Sequence, residues 1–237
     1  MRRLLLFFTL AGTLLSASQE IKIAAAAGYK KPVQEVLKAY HKDGGTPVNA
    51  IFGNVRQISV QARHTDISLL IGDRNYLRDQ SGLAFDGFTH LGSGKLVLAF
   101  PKKSTLKDYS ELADRKVRSI AVAKPSKAIY GIAADQFLQQ SRLYDTVKKK
   151  LRVVSTVPQI TAYLVANEID AGLINLTAAL SHEKELGGYI LIPQQYYEKI
   201  DIVAGRLPEC SSNSGCSRFL EYLQGERAKE IFRRHGL

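Results

Sequence analysis

The sequence predicts an α/β fold. Short apolar segments typical of buried strands alternate along the chain with segments whose apolar residues recur at helical spacing. Small or polar residues stand at several of the turns that lead from a strand into a helix. Because parallel strands need a crossover connection, which is usually a helix, this alternation implies parallel β-α-β units.

The first unit is the stretch "IKIAAAAGYKKPVQEVLKAY" at residues 21–40. Its alternating apolar residues predict a strand at 21–23, and a helical pattern follows from Val33 to Tyr40. Four alanines, Gly28 and two lysines separate the strand from the helix. Small residues suit a crowded turn, and they also let backbone N–H groups approach a bound anion. This segment alone leaves both interpretations open.

The later units repeat the alternation without an internal repeat or a low-complexity linker. Further strands are predicted at 48–52, 66–71, 95–100, 117–123, 153–154, 171–174 and 200–204. Further helices are predicted after Asn54 and at 106–114, 129–142, 158–167, 176–185 and 216–234.

The first 18 residues have the layout of a secretory signal. Arg2 and Arg3 precede an apolar run at 4–15, and small residues follow at 16–18. The apolar run is too short for a stable membrane anchor. We therefore expect cleavage near residue 18 and an exported protein.

The charge of the chain favours an acidic partner. Removal of Arg2 and Arg3 leaves 31 basic against 22 acidic residues, a formal charge of +9. Such a charge suits nucleic acid, anionic lipid or a small anion. The basic residues are dispersed, their densest run is 148–150, and no nucleic-acid motif accompanies them. We therefore expect no nucleic-acid partner.

Cys210 and Cys216 are the two cysteines of the chain, and they bracket a polar loop that contains glycine. In an oxidising compartment such a pair most simply forms a disulfide. A redox pair would more often show two intervening residues, and a metal site would need further ligands nearby. The sequence therefore predicts a structural disulfide.

Catalytic and metal-binding motifs do not stand out in the sequence. The glycines at 92 and 94 flank a serine, but this stretch is too short for the nucleophile elbow of a hydrolase. The five histidines are scattered without a helical pair for zinc. We therefore predict neither an enzyme nor a resident metal or cofactor.

Several strand-to-helix turns carry capping residues. Asn54, Thr156 and Asn175 each precede a predicted helix, and Ser126 precedes the helix at 129–142. In an open α/β sheet such turns gather at the carboxyl ends of the strands, where ligands bind. Every α/β protein has capped helices, however, so the caps favour an anion site without establishing one.

Six segments of the chain resemble the periplasmic molybdate-binding proteins, which are solute receptors of ABC transporters. The resemblance extends over nearly the whole mature sequence, and its last two segments are the most specific. The segments are "IKIAAAAGYKKPVQEVLKAY", "FGNVRQI", "DISLLIGDRNYL", "AKPSKAIYGIAADQFL", "VPQITAYLVANEIDAGLINLTAAL" and "FLEYLQGERAKEIFRRHGL".

This resemblance implies a two-lobed, type II-like binding-protein fold with a ligand cleft between the lobes. The first lobe would comprise 19–97 and 206–237, and the second would comprise 98–205. The implied function is to bind molybdate or tungstate in the periplasm and to deliver it to a cognate ABC permease in the inner membrane.

The resemblance also implies a ligand site. The family's two ligand serines fall at Gly28 and Val55, and its ligand tyrosine falls at Asn175, so three side-chain donors differ here. Positions that supply backbone N–H groups fall at Tyr130 and Val157. With neighbours that offer compensating donors, the candidate ligand-binding residues are Gly28, Tyr29, Lys30, Asn54, Val55, Tyr130, Val157 and Asn175.

The altered donors leave alternatives open. A cation at Lys30 or Arg56 would favour a more highly charged or carboxylate-bearing ligand over a site of neutral dipoles. A receptor for a sulfate-like, phosphorylated or carboxylate solute is therefore one alternative. A secreted adhesin or structural protein on the same scaffold is another.

Overall fold

The structure is a computed structural model that describes residues 20–126 and 128–237. The predicted export signal at 1–18 lies outside the described residues. No helix within the described part of the chain is both long and apolar enough to cross a membrane.

Ten strands form two five-stranded sheets in the described residues. In chain order these are β1 (Ile21–Ala26), β2 (Val48–Gly53), β3 (Leu69–Asp73), β4 (Gly87–Gly94), β5 (Leu96–Phe100), β6 (Ile120–Ala123), β7 (Leu151–Val154), β8 (Ala171–Asn175), β9 (Gly188–Leu191) and β10 (Ile200–Arg206).

The helices surround these sheets. In chain order the α-helices are α1 (Lys30–Lys42), α2 (Val55–Ala62), α3 (Arg74–Gln80), α4 (Ile129–Gln140), α5 (Tyr144–Val147), α6 (Val157–Val165), α7 (Leu176–Ser181), α8 (Pro208–Ser211), α9 (Ser214–Gln224) and α10 (Glu226–Arg234). Short 3₁₀ turns cover Ala27–Tyr29, Tyr109–Ala113, Lys148–Lys150 and Gln194–Tyr196.

The predicted α/β class is confirmed, but both sheets are mixed instead of wholly parallel. The first sheet has the order β2-β1-β3-β10-β4, and β10 runs antiparallel to both of its neighbours. The second has the order β7-β6-β8-β5-β9, and β5 runs antiparallel to β8 and β9. The pairs of β1 with β2 and β3, and of β6 with β7 and β8, are parallel as expected.

The differences from the predicted elements have local causes. Strand β4 carries three glycines and no sustained apolar alternation, so its residues show no strand signal. The single helix predicted at 216–234 is wrong, because Gly225 adopts an extended conformation and separates α9 from α10. The helix predicted at 106–114 is a 3₁₀ turn that begins with a capping box at Asp108.

Strand β1 lies between two hydrophobic clusters. Ile23 and Ala25 belong to the larger hydrophobic cluster, whereas Ala24 points to the opposite face of the sheet. The smaller cluster comprises Ala24, Val55, Ile58, Ala62, Ile67, Leu70, Leu77, Val203 and Leu207. Helices therefore cover both faces of the first sheet, which explains the apolar runs at 23–26 in β1 and at 69–72 in β3.

The C-terminal helices pack against α1, on the side of the first sheet. The ring of Tyr40 lies 4.9 Å from that of Phe219 and 5.0 Å from that of Tyr222, measured between centroids. The predicted disulfide between Cys210 and Cys216 is confirmed, and it joins α8 to α9 with both cysteines buried.

The division of the chain into lobes at 19–97 plus 206–237 and at 98–205 stays a prediction. The strand pairing bears on its limits, because β5 opens the second sheet at Leu96 and β10 returns to the first sheet at Ile200. We therefore propose limits near residues 95 and 199. The second limit falls earlier than the boundary between residues 205 and 206 that the resemblance implies.

Candidate anion-binding site

A small cavity lies between the two sheets, and four turns enclose it. Its volume is about 40 Å³, whereas one water molecule needs at least ~10–15 Å³ on the same measure. It is lined by Ala26, Ala27, Gly28, Tyr29, Gly53, Asn54, Val55, Ala128, Ile129, Tyr130, Ser155, Thr156, Val157 and Pro158.

Each of the four turns follows a parallel strand and opens a helix. The turn Ala27–Tyr29, which we call the Gly28 turn, leads from β1 into α1, and the turn around Asn54 leads from β2 into α2. On the second sheet, β6 leads to α4 and β7 leads to α6. The first N–H groups of a helix have no partner within it, and the helix dipole adds positive potential there. Four such ends around one cavity are an arrangement that favours an anion.

Two side chains in the lining cap their own helices. The Asn54 side chain accepts from Gln57 N at 2.9 Å, and the Thr156 hydroxyl accepts from Gln159 N at 3.4 Å. Both caps predicted from the sequence are therefore confirmed. Beside the capped groups, the first turns hold the N–H groups of Val55 and Arg56 on α2 and of Val157 on α6, since Pro158 has none.

The described lining residues carry no charged side chain. Lys30 and Arg56, the two cations considered from the sequence, are exposed and lie outside the lining. The ammonium group of Lys30 instead lies 5.9 Å from the ring centroid of Phe52. An anion in this cavity would therefore meet backbone dipoles and neutral side chains.

Two buried tyrosines close one side of the cavity. The hydroxyl of Tyr29 donates to the hydroxyl of Tyr130 at 2.9 Å, which joins the Gly28 turn to α4. Burial raises the pKa of both phenols well above the usual value. Both hydroxyls therefore stay neutral at physiological pH and act as hydrogen-bonding groups.

Asn175 lies beside the lining, at the end of β8. Its side chain is fully buried, and its Nδ2 donates to the carbonyl oxygen of Gly28 at 3.1 Å. The same side chain does not cap α7, although the sequence placed it at that N-cap position. Its Oδ1 has no hydrogen-bond partner among the described residues.

Six of the eight sequence-predicted residues line the cavity: Gly28, Tyr29, Asn54, Val55, Tyr130 and Val157. Lys30 and Asn175 do not. The role of all eight as ligand contacts stays a prediction. Sequence reasoning missed Ser155, Thr156 and Ile129 as lining residues, although the cap pattern "STVP" marks the first two as part of a helix start.

The residues that the structure describes contain no group of three or more His, Cys, Asp or Glu side chains able to hold a metal ion. Helix ends supply donors, which suit the oxygens of an anion and do not coordinate a cation.

Two α/β sheets that face each other across a cavity built from helix N-termini define a binding-protein architecture. The chain belongs to the family of bacterial extracellular solute-binding proteins, whose model matches residues 21–237.

Relatives and solved structures also match this chain over most of its length and of theirs. The molybdate-binding protein ModA of Azotobacter vinelandii is 27% identical, over 95% of this chain and 93% of the relative. ModA of Escherichia coli is 26% identical, over 98% and 93%.

Among structures, the periplasmic molybdate-binding protein of A. vinelandii superposes with a TM-score of 0.81 at 22% identity, covering 91% of this chain and 97% of that one. PEB3 with L-phospholactate bound superposes with a TM-score of 0.74 at 17% identity, covering 91% and 98%. These likenesses confirm the two-lobed fold.

Proposed function

We propose that this protein is the periplasmic solute-binding component of an ABC transporter, and that it binds a small tetrahedral oxyanion of the molybdate or tungstate type. The observation that carries the proposal is the convergence of four helix N-termini on a cavity whose described lining carries no charged side chain. The protein binds its solute and releases it unchanged to a cognate permease.

The size of the cavity supports a small ligand. A volume of about 40 Å³ corresponds to a few water molecules at ~10–15 Å³ each. An ion with one central atom and four oxygens matches this space better than a larger organic solute does. The names of the ModA relatives point to the same class of ligand.

Export to the periplasm is part of the proposal. The signal-like layout of residues 1–18 and the family of extracellular solute-binding proteins support it. N-terminal sequencing of the protein recovered from a periplasmic fraction should find a start near residue 19. Retention of Met1 in the exported protein would contradict the predicted cleavage.

Ligand identity is tested by calorimetry and thermal shift on the purified mature protein. The panel is molybdate, tungstate, sulfate, phosphate and phospholactate, and we expect the largest stabilisation from molybdate or tungstate. A response to phospholactate alone would place this chain with receptors for phosphorylated carboxylates. A protein that responds to no anion would fit a structural or adhesive role.

A backbone substitution tests the helix ends directly. Val55 is the first residue of α2, and Asn54 before it is extended, so proline fits there and removes only the N–H group of residue 55. Val55→Ala loses similar packing but keeps the N–H group, which makes it the matched control. We expect Val55→Pro to bind molybdate about tenfold more weakly than Val55→Ala, the equivalent of ~1.4 kcal/mol. Equal affinities would exclude this helix end from the site.

A further inference from the structure

The carbonyl group of Gly28, in the 3₁₀ turn before α1, cannot accept an α-helical hydrogen bond. In a helix the carbonyl oxygen of residue 28 would accept from the N–H group of residue 32. Residue 32 is Pro32, which has no N–H group and sits in the first turn of α1. The N–H group of residue 32 is therefore not available to the Gly28 oxygen, which is open to a donor from outside α1.

Asn175 supplies that donor from the second sheet. Its Nδ2 lies 3.1 Å from the Gly28 oxygen, although the two residues are 147 positions apart. The contact is close on all sides, since a Cβ atom added at Gly28 would lie 3.3 Å from Nδ2 and 3.5 Å from Oδ1. Because only an N–H donor can face a carbonyl oxygen favourably, this contact also fixes the orientation of the amide.

Two further hydrogen bonds connect the residues after Gly28 to helices that follow strands of the second sheet. The Tyr29 hydroxyl donates to Tyr130 on α4, and the Lys31 ammonium group donates to the carbonyl oxygen of Ser181 at the end of α7. The Gly28 turn and the start of α1 are thus held across the cavity by three contacts. Of the three partners, Asn175 is the one that binds the backbone of the turn itself.

We infer that Asn175 is a positioning residue that replaces the donor missing at Pro32 and so holds the Gly28 turn in the conformation that lines the anion cavity. This inference rests on the proposed function. Asn175 is not among the residues that line the cavity, so it acts through Gly28 and does not contact the ligand. Loss of the Asn175 side chain should weaken the binding of all anions by a similar factor. Loss of a direct ligand contact would instead change the preference among anions.

The test combines one substitution that removes the donor to Gly28 with another that supplies a different donor. Asn175→Leu keeps a similar volume and removes the donor, and Pro32→Ala returns an N–H group to residue 32. We expect Asn175→Leu to weaken molybdate binding about tenfold, because one hydrogen bond to a buried carbonyl is lost. Pro32→Ala alone should bind as the wild type does. The double variant should recover most of the affinity, since the N–H group restored at position 32 can then donate to the Gly28 oxygen.

Three results would overturn the inference. Unchanged molybdate affinity in Asn175→Leu would mean that Asn175 does not position the site. An altered ratio of molybdate to sulfate affinity would mean that Asn175 contacts the ligand directly. No recovery in the double variant, with normal binding by Pro32→Ala, would mean that Asn175 acts through another group.

A ligand-free readout separates this inference from the proposed function. Amide hydrogen exchange over residues 27–36 should be faster in Asn175→Leu than in the wild type and slower again in the double variant. If the wild type binds no molybdate, the proposed function fails, while this exchange pattern still supports the contact between Asn175 and Gly28. If exchange does not change, the positioning role fails whatever the ligand is.

Discussion

The hydroxyl groups of Tyr29 and Tyr130 lie 2.9 Å apart, although the two residues are 101 positions apart in the chain and follow strands of different sheets. Both side chains are almost fully buried, and their ring centroids are 6.5 Å apart. The bond therefore connects the two halves of the molecule at the wall of the cavity.

Removal of one hydroxyl should show how much the bond between the two tyrosines stabilises the fold. Tyr29→Phe leaves the ring in place but leaves the buried Tyr130 hydroxyl without its donor, so we expect a loss of about 1–2 kcal/mol in the free energy of unfolding. The measurement is urea denaturation of the ligand-free protein. Tyr189→Phe, on the edge strand β9, is the control and should change stability little. Equal effects of the two substitutions would show that the hydroxyl pair contributes nothing specific.

Gly94, at the end of β4, leaves room for the Tyr130 hydroxyl. A Cβ atom there would lie 2.2 Å from Tyr130 Oη and 2.9 Å from Ile200 Cγ2. We expect Gly94→Ala to destabilise the protein by about 1–3 kcal/mol, because overpacking a tight site forces its neighbours to shift. Combined with Tyr130→Phe, which removes the nearest atom, the loss should be smaller than the sum of the two single losses. Strict additivity in urea denaturation would contradict this coupling.

Substitutions at Gly28 should respond to the unpartnered oxygen of Asn175. A Cβ atom at position 28 would lie 3.5 Å from Asn175 Oδ1, so a serine hydroxyl could reach it. Since an unsatisfied buried acceptor costs ~1–3 kcal/mol, we expect Gly28→Ser to be about 1 kcal/mol more stable than Gly28→Ala. Both variants add the same Cβ, so their difference isolates the hydroxyl. Equal melting temperatures would show that this oxygen is solvated.

Lys30 should contribute little to the binding of an oxyanion. Its side chain is exposed and lies outside the cavity lining, and salt weakens the interactions of exposed charges, with a screening length of about 10 Å at 0.1 M ionic strength. We expect Lys30→Ala to change the molybdate affinity less than about threefold, which is under 1 kcal/mol. A loss of a hundredfold by calorimetry would instead favour the carboxylate or phosphorylated ligands left open by the sequence.

Asp201 on β10 should give stability a pH dependence. Burial would raise the pKa of this carboxyl, but bonds from Arg74 and His90, each at 2.6 Å, outweigh burial and lower the pKa below its usual value. A lowered pKa in the folded state stabilises the fold above the unfolded-state pKa of about 3.9, and this contribution disappears as the pH falls through the folded-state pKa.

Asp201→Asn should therefore lose roughly 1 kcal/mol at pH 7, and the difference from the wild type should shrink below about pH 4. Urea denaturation at pH 7 and pH 3 measures both values. The exposed Asp135, changed to Asn, serves as the control. A difference that is the same at both pH values would exclude the ion pairs as its cause.

Features set by neighbouring residues could be predicted from the sequence. The caps at Asn54 and Thr156 depend on residues three positions away, and the loop between Cys210 and Cys216 is closed locally. The Gly28 turn was likewise marked by its small residues before a helix. These local signals marked turns that border the cavity, whereas the eight candidate ligand residues came from the family resemblance, and six of them line the cavity.

Features that depend on distant partners could not be predicted. Asn175 has the sequence of a helix cap, but its tertiary contact with Gly28 takes precedence over that local role. The pairing of Tyr29 with Tyr130 leaves no local pattern at all. Strand β4 is held in place by pairing with β10, which begins at Ile200, so the residues of β4 themselves carry no strand pattern.

The position of β10 between β3 and β4 constrains the order in which the protein can fold. The second sheet is built from the continuous segment 96–191, so all its strands are present before β10 emerges. The first sheet is incomplete until β10 (Ile200–Arg206) pairs with β3 and β4, which lie far earlier in the chain. Such pairing of distant segments is slow. Until then β3 and β4 expose unpaired edges, which are sites of aggregation. The C-terminal part of the chain therefore protects strand edges of the N-terminal half, and in the exported chain proposed above this protection would come last.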